Sequence, residues 1–133
     1  PWQLYEALAE LCGIHGFPAG SFHLRAFSLR DHMLRRILLG FRSGKAGVIK
    51  SVLRAFPQRQ FVLIGDSGEK DPEIYGAVAR RFPAQVTGIW IRQTPGGEMV
   101  PSRLRRAFRQ VDTERLCLFE DPLELEPQLA RLR

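Results

Sequence analysis

The sequence of residues 61–75 is FVLIGDSGEKDPEIY, an apolar run followed by two aspartates and the start of a helical pattern. The apolar residues 61–64 predict a short buried strand, and a parallel α/β sheet places its binding crevice at the carboxyl ends of such strands. Asp66 is therefore expected at the edge of a crevice. Asp71 and Pro72 predict a helix start, because they combine a side-chain acceptor with the fixed φ of proline. The carboxylates of Asp66 and Asp71 can then converge on one cation.

Helical and strand patterns alternate along the rest of the chain. This order predicts a mostly parallel sheet covered by helices. The predicted helices are 4–12, 33–38, 48–56, 74–82 and 102–110, and the predicted strands are 22–27, 61–64, 86–91 and 116–119. A last amphipathic segment lies around 123–132. The expected fold class is α/β, a three-layer, Rossmann-like, mostly parallel sheet with helices on both faces, present as a partial domain. A loop at 40–44 is a candidate lid.

Composition restricts the class of protein. With 133 residues and 44% hydrophobic residues, the chain is long enough for one compact domain. Its apolar runs are too short for a membrane span, and Cys12 and Cys117 are expected as packed thiols, so a cytoplasmic protein is predicted.

The net charge of +6 allows an anionic partner. No nucleic-acid-binding signature accompanies the arginines, so nucleic acid is disfavoured. Most basic residues are expected on solvated faces, and a minority are expected to assist attraction of an anionic substrate or membrane surface.

Both aspartates also have a purely structural interpretation. Asp66 could form only a local turn with the residues that follow it, since aspartate side chains often accept a hydrogen bond from a nearby backbone N–H. Asp71 could only cap the helix that begins beside it. From the residues alone, these alternatives stay open beside metal binding.

Lys45 stands in the sequence Ser43-Gly44-Lys45-Ala46-Gly47, which is similar to a phosphate-binding P-loop. The P-loop pattern is not met. It needs four residues between its first glycine and the Gly-Lys pair, and Gly40 is one residue too close to Gly44; in addition, Ala46 has no hydroxyl for the metal. A lysine at the start of a helix can still neutralise a phosphate as a point charge. The alternative is a solvated loop cation.

Several segments taken together resemble one protein family. They are Pro1–Tyr5, Gly16–Gly20, Lys45, Phe61–Tyr75 and Gly88–Arg92, and within them Gly65–Tyr75 is the specific part. The family is the catalytic domain of the phosphatidate phosphatase of yeast actin patches, with its bacterial relatives, in the haloacid dehalogenase superfamily.

The resemblance implies a Mg²⁺-dependent mechanism in which an aspartate nucleophile takes the phosphoryl group and a second aspartate acts as acid and base. Those two aspartates belong to an Asp-x-Asp motif that this chain lacks. Lys45 matches the lysine that holds the phosphate and the nucleophile together. Asp66 and Asp71 match the acidic Mg²⁺ motif, with Asp71 either a ligand or a support from outside the coordination sphere.

The resemblance therefore implies that residues 1–133 are the C-terminal part of a single, N-terminally truncated phosphatase domain, inactive by itself. The implied substrate is a phosphomonoester such as phosphatidate or another anionic lipid. A second hypothesis is a non-catalytic basic α/β module that binds an anionic membrane surface or nucleic acid, with steep salt dependence and no Mg²⁺ requirement. A third is a degenerate relative that has lost the activity.

Overall fold

The structure is a computed structural model that describes residues 2–24 and 44–130. The chain divides into two compact units, Pro1–Arg42 and Ser43–Arg133. The assignment of residues 1–133 to one phosphatase domain stays a prediction.

The first unit contains one turn of 3₁₀ helix, Trp2–Leu4, that continues into helix α1, Tyr5–Ile14. At the end of α1, the backbone N–H of Gly16 donates to Gly13 and the backbone N–H of Phe17 donates to Cys12. With Gly16 at φ 65°, this is a Schellman termination. The predicted helix is confirmed, and its last residue is Ile14.

The second unit alternates helices and strands, as the sequence predicts. Its elements are α2 (Lys45–Ala55), β1 (Phe61–Asp66), α3 (Asp71–Arg81), β2 (Val86–Arg92), α4 (Pro101–Ala107), a 3₁₀ helix (Thr113–Arg115), β3 (Leu116–Phe119), a 3₁₀ helix (Pro122–Leu125) and α5 (Glu126–Ala130). The strands form a three-stranded parallel sheet in the order β1-β2-β3. The α/β fold class with a parallel sheet and surrounding helices is confirmed.

The core lies mainly between one face of the sheet and helices α2, α3 and α4. It contains Leu53, Leu63, Tyr75, Val78, Ala79, Val86, Ile89, Ile91, Met99, Ala107 and Phe108. On the other face, Trp90 and Phe119 pack with Leu125 from the 3₁₀ helix. Ile64 of β1 stays 54% exposed on this second face. The sheet therefore has its larger core on the face that carries helix α3, which begins directly after the acidic turn.

Some sequence-based boundaries differ from the structure. The expected strand at 22–27 is not formed at residues 22–24, and its other half, the expected helix 33–38 and loop residues 40–43 lie outside the described residues. The helix expected over 102–110 ends at Ala107, because the chain then turns and Gln110 adopts φ 61°, which an α-helix does not accommodate. The amphipathic segment near the end of the chain forms two short helices over 122–130.

Two expectations from composition can be compared with the structure. Cys12 and Cys117 are both free thiols, as predicted. Within residues 2–24 and 44–130, no helix has the length and apolar character that crossing a membrane requires.

Candidate metal and phosphate site

The three strands end side by side at their carboxyl ends. Asp66, the last residue of β1, is in register with Arg92, the last residue of β2. Arg92 is in turn in register with Phe119 at the end of β3. Because parallel strands end at the same edge of a sheet, the turn after Asp66 lies on the edge where α/β folds place their binding crevice.

Asp71 is the buried centre of the site. It is only 2% exposed, and both of its carboxylate oxygens have partners: Oδ1 lies 2.5 Å from Lys45 Nζ, and Oδ2 accepts from the backbone N–H of Asp66 at 3.3 Å. A buried carboxylate needs such partners, because burial removes the water that would stabilise its charge. Asp71 therefore connects the start of α2 to the end of β1.

The alternatives that give Asp71 and Lys45 only local roles are wrong. The N-cap of α3 is Lys70, and no side chain caps that helix, so Asp71 is not the cap of its own helix. Lys45 is the first residue of α2 and is ion-paired with Asp71. It is not a solvated loop cation, although its side chain keeps 40% of its surface exposed.

Asp66 has one oxygen engaged and the other directed elsewhere. Its Oδ1 accepts from the backbone N–H of Glu69 at 3.1 Å, so the predicted local turn bond is confirmed. Within residues 44–130, Oδ2 has no hydrogen-bond partner. The local turn and a ligand role are therefore compatible, because the turn bond fixes one oxygen and leaves the other available.

Gly65 and Tyr75 pack closely against Asp71 at the end of β1. A Cβ on Gly65 would collide with Asp71 Oδ2 and would lie 2.8 Å from the Tyr75 hydroxyl oxygen, so only glycine fits this approach. The Tyr75 hydroxyl donates to the carbonyl of Ile64 at 2.9 Å. Burial, and then the nearby charge of Asp71, raise the pKa of Tyr75 well above its usual value. Tyr75 is thus a neutral donor that fixes the end of β1.

The chemistry of these donors fits Mg²⁺ held with few protein ligands. In the described ranges, no three His, Cys, Asp or Glu side chains come together in an arrangement that would hold a metal ion. Mg²⁺ commonly takes only one or two protein carboxylates and completes its octahedron with water and phosphate oxygens. Asp66 Oδ2 fits that limited role, whereas both Asp71 oxygens are already engaged.

Arg103 holds the turn that carries Asp66, a role that the sequence analysis did not assign to it. Its guanidinium makes five hydrogen bonds, to the carbonyls of Ser67, Glu69 and Gly97 and to both carboxylate oxygens of Glu73. The hydrogen bond from Arg103 lowers the pKa of Glu73. Arg103 is therefore not among the solvated basic residues, since its side chain is only 20% exposed.

A signal for Arg103 was present in the helical periodicity. Arg103 and Ala107, and likewise Leu104 and Phe108, are four positions apart, a spacing that places them on one helix face. In the structure Ala107 and Phe108 are buried. A charged residue on the same helix face as buried apolar residues needs polar partners. Arg103 lies on that face, whereas the neighbouring Arg105 and Arg106 are exposed.

The model of one protein family matches residues 1–93, and that family is the catalytic domain of phosphatidate phosphatase APP1. The chain belongs to this family. The resemblance stated from the sequence is thereby confirmed for the APP1 catalytic-domain family. The matched residues include Lys45, Asp66, Asp71 and Tyr75, whereas Arg103 lies beyond them.

Two fungal proteins are similar to this chain. Phosphatidate phosphatase APP1 of Saccharomyces cerevisiae is 30% identical over 135 residues, which cover 100% of this chain and 22% of the yeast protein. An uncharacterised protein of Schizosaccharomyces pombe is 34% identical over 93 residues, 69% of this chain and 15% of that protein. This chain therefore spans about a fifth or less of each of these relatives. No solved structure matches it.

Proposed function

We propose that this chain supplies the cation-binding and phosphate-binding part of a Mg²⁺-dependent phosphomonoester hydrolase with a haloacid dehalogenase-like fold. The proposed substrate is phosphatidate or another anionic lipid phosphate. The observation that carries the proposal is the assembly of Lys45, Asp71 and Asp66 at the carboxyl end of β1. Membership of the APP1 catalytic-domain family supports it.

Each of the three residues has a separate role in this proposal. Asp66 Oδ2 is a ligand for Mg²⁺, which, when bound, neutralises charge on phosphate oxygens. Lys45, whose side chain is 40% exposed, presents its ammonium to the phosphate as a point charge. Asp71 orients both of them, through the Lys45 ammonium and the backbone N–H of Asp66, and supports the metal from outside its coordination sphere.

The nucleophile in this proposal comes from outside the 133 residues. The chain contains no Asp-x-Asp motif, which in the haloacid dehalogenase superfamily carries the attacking aspartate. By itself, the 133-residue chain is therefore expected to bind cation and phosphate without turnover. Phosphatase activity from the isolated chain would contradict this part of the proposal.

The decisive experiment measures phosphate release from phosphatidate in mixed micelles by the full-length gene product, with Mg²⁺ titrated. Loss of a residue that only supports metal ligands costs about 10- to 100-fold, so Asp66→Asn, which removes a ligand, is expected to lower activity by at least ~100-fold. Asp112→Asn is the matched control, because Asp112 accepts only from the N–H of Glu114 in a surface cap. That variant is expected to keep wild-type activity.

Two results would contradict the proposal. An Asp66→Asn protein with unchanged rate and Mg²⁺ affinity would remove the metal assignment. Metal-independent vesicle binding that weakens steeply with salt, without hydrolysis, would instead support the non-catalytic basic module.

A further inference from the structure

Arg103 is the most completely satisfied side chain near the proposed site. A guanidinium has five N–H donors in a fixed planar arrangement. In Arg103, Nε donates to Glu73, Nη1 donates to the carbonyls of Ser67 and Gly97, and Nη2 donates to the carbonyl of Glu69 and again to Glu73. The bonds to Ser67 and Glu69 measure 2.5 Å and 2.7 Å. Each donor therefore has a partner.

These bonds hold the turn between Asp66 and Asp71 in place. The backbone N–H of Glu69 donates to Asp66 Oδ1 at 3.1 Å, while the carbonyl of Glu69 accepts from Arg103. Glu69 is thus fixed on one side by Asp66 and on the other by Arg103. Because the Glu69 N–H determines where Asp66 Oδ1 lies, Arg103 indirectly determines where Asp66 Oδ2 points.

Arg103 also joins this turn to the loop that follows β2. It donates to the carbonyl of Gly97 at 3.2 Å, and a Cβ on Gly97 would lie 2.6 Å from the Cα of Gly68. A second connection runs from the backbone N–H of Thr94 to the hydroxyl of Ser67, at 2.9 Å. The two loops are therefore in close backbone contact, with Arg103 bonded to both of them.

We propose that Arg103 is a positioning residue for metal binding, which holds the Asp66 turn so that the free carboxylate oxygen of Asp66 faces the cation. This inference rests on the proposed function, because it assigns Asp66 to the metal. Lysine cannot replace Arg103, since a single ammonium cannot reach the separated carbonyls and the carboxylate that the planar guanidinium joins.

The test compares Arg103→Lys with Arg105→Lys in the full-length gene product. Arg105 is exposed on the same helix and, within residues 44–130, makes no side-chain hydrogen bond. Mg²⁺ affinity is measured directly by calorimetry, without substrate. Arg103→Lys is expected to weaken Mg²⁺ binding by about 10- to 100-fold, the usual effect of removing a residue that orients a metal ligand, and Arg105→Lys is expected to leave it unchanged.

A second measurement needs no metal. Amide hydrogen exchange at Glu69 in metal-free protein reports whether its N–H stays bonded to Asp66. Arg103→Lys is expected to accelerate this exchange, and Arg105→Lys is not. If Arg103→Lys does not fold, Glu73→Gln is used instead, because it removes the charged partner of Arg103 and leaves the backbone acceptors in place; the same direction of change is expected.

The outcomes separate this inference from the proposed function. A lower melting temperature with unchanged Mg²⁺ affinity would show that Arg103 is only structural and would overturn the inference, while the Asp66 assignment would stand. Unchanged Glu69 exchange would overturn it as well. Unchanged Mg²⁺ affinity in Asp66→Asn would instead overturn the metal assignment itself, and the positioning of a metal ligand by Arg103 with it.

Discussion

At both ends of the sheet, side chains donate hydrogen bonds to backbone carbonyls, but the groups around those bonds differ. At the amino ends of the strands, Gln85 Nε2 donates to the carbonyls of Leu53 and Phe56 at 2.9 Å and 3.1 Å. Arg115 donates there to the carbonyls of Pro83 and Val86. These bonds satisfy backbone carbonyls at the end of α2, in the turn before β2 and at the first residue of β2.

At the carboxyl ends, the same kind of bonding leaves charged groups available. Arg103 there binds backbone carbonyls as Gln85 does, but the adjoining Asp66 keeps a carboxylate oxygen without a partner in residues 44–130, and Lys45 keeps part of its side chain exposed. The difference shows that backbone satisfaction alone does not identify a site. What distinguishes the carboxyl end is a carboxylate oxygen without a partner in residues 44–130, beside a partly exposed lysine.

The largest stability effect is expected at the carboxyl end, from Lys45→Ala. This change leaves the 2%-exposed Asp71 without its counter-ion. Because only Asp71 is buried and Lys45 is 40% exposed, the cost is that of leaving one buried charged group without a partner, about 2–3 kcal/mol. Urea unfolding measures the loss. In the full-length protein, the same variant is expected to raise KM and lower kcat, because an ammonium that contacts the phosphate contributes to binding and to rate.

The matched control for Lys45→Ala is the double variant Lys45→Ala with Asp71→Asn. Removing the buried charge as well is expected to restore part of the stability, but not the activity. If Lys45→Ala were as stable as the wild type and had unchanged kcat/KM, Lys45 would be a bystander and the contrast between the two ends would be lost.

A smaller effect is expected at the amino end, from Gln85→Ala. The carbonyls of Leu53 and Phe56 would lose their side-chain donor, at a cost of about 1–2 kcal/mol for incompletely satisfied backbone groups. Mg²⁺ affinity and the activity of the folded protein are expected to stay at wild-type values. Gln58→Ala, at an exposed turn of the same end, is the control and should change neither; altered Mg²⁺ affinity in Gln85→Ala would contradict the separation of the two ends.

The smallest effect is expected for Tyr75→Phe, which removes one hydrogen bond to Ile64 and costs about 1 kcal/mol at neutral pH. The pKa of Tyr75 is higher in the folded than in the unfolded protein, chiefly because of burial. Its stabilisation is therefore fully present below about pH 10, the usual tyrosine value, and is lost as pH rises towards the folded pKa.

The readout for Tyr75 is the difference in unfolding free energy between wild type and Tyr75→Phe as a function of pH. This difference is expected to be constant up to about pH 10 and to shrink above it. A difference that stays constant well into the alkaline range would show that the Tyr75 hydroxyl is not held in its neutral form by the fold.

The three strands of the second unit, most of its helices and the acidic turn were predictable from the sequence, because these depend on local patterns. Periodicity identified residues 48–56 and 74–82 as helical, and the apolar run at 61–64 identified β1. The pairing of Lys45 with Asp71 was not predicted as such. It depends on how α2 and α3 pack, which brings together residues 26 positions apart.

Sequence motifs could not predict that Gln85 and Arg103 bind distant backbone carbonyls. Their partners are mostly backbone carbonyls about 30 positions away in the sequence, and a carbonyl carries no residue-type signal. For Arg103 the helical spacing gave a partial indication, since it marks the residue as facing inwards. The spacing could not show which acceptors would be there.

Strand β1 has one further consequence, which follows from its place in the sheet. It is an edge strand within residues 44–130, so its outer backbone groups can template another strand, and an exposed edge of this kind promotes self-association. A parallel strand that paired there would end about 4.8 Å from Asp66. The same edge would therefore favour aggregation of the isolated chain, and a strand that paired there would place the side chain at its end next to the proposed cation site.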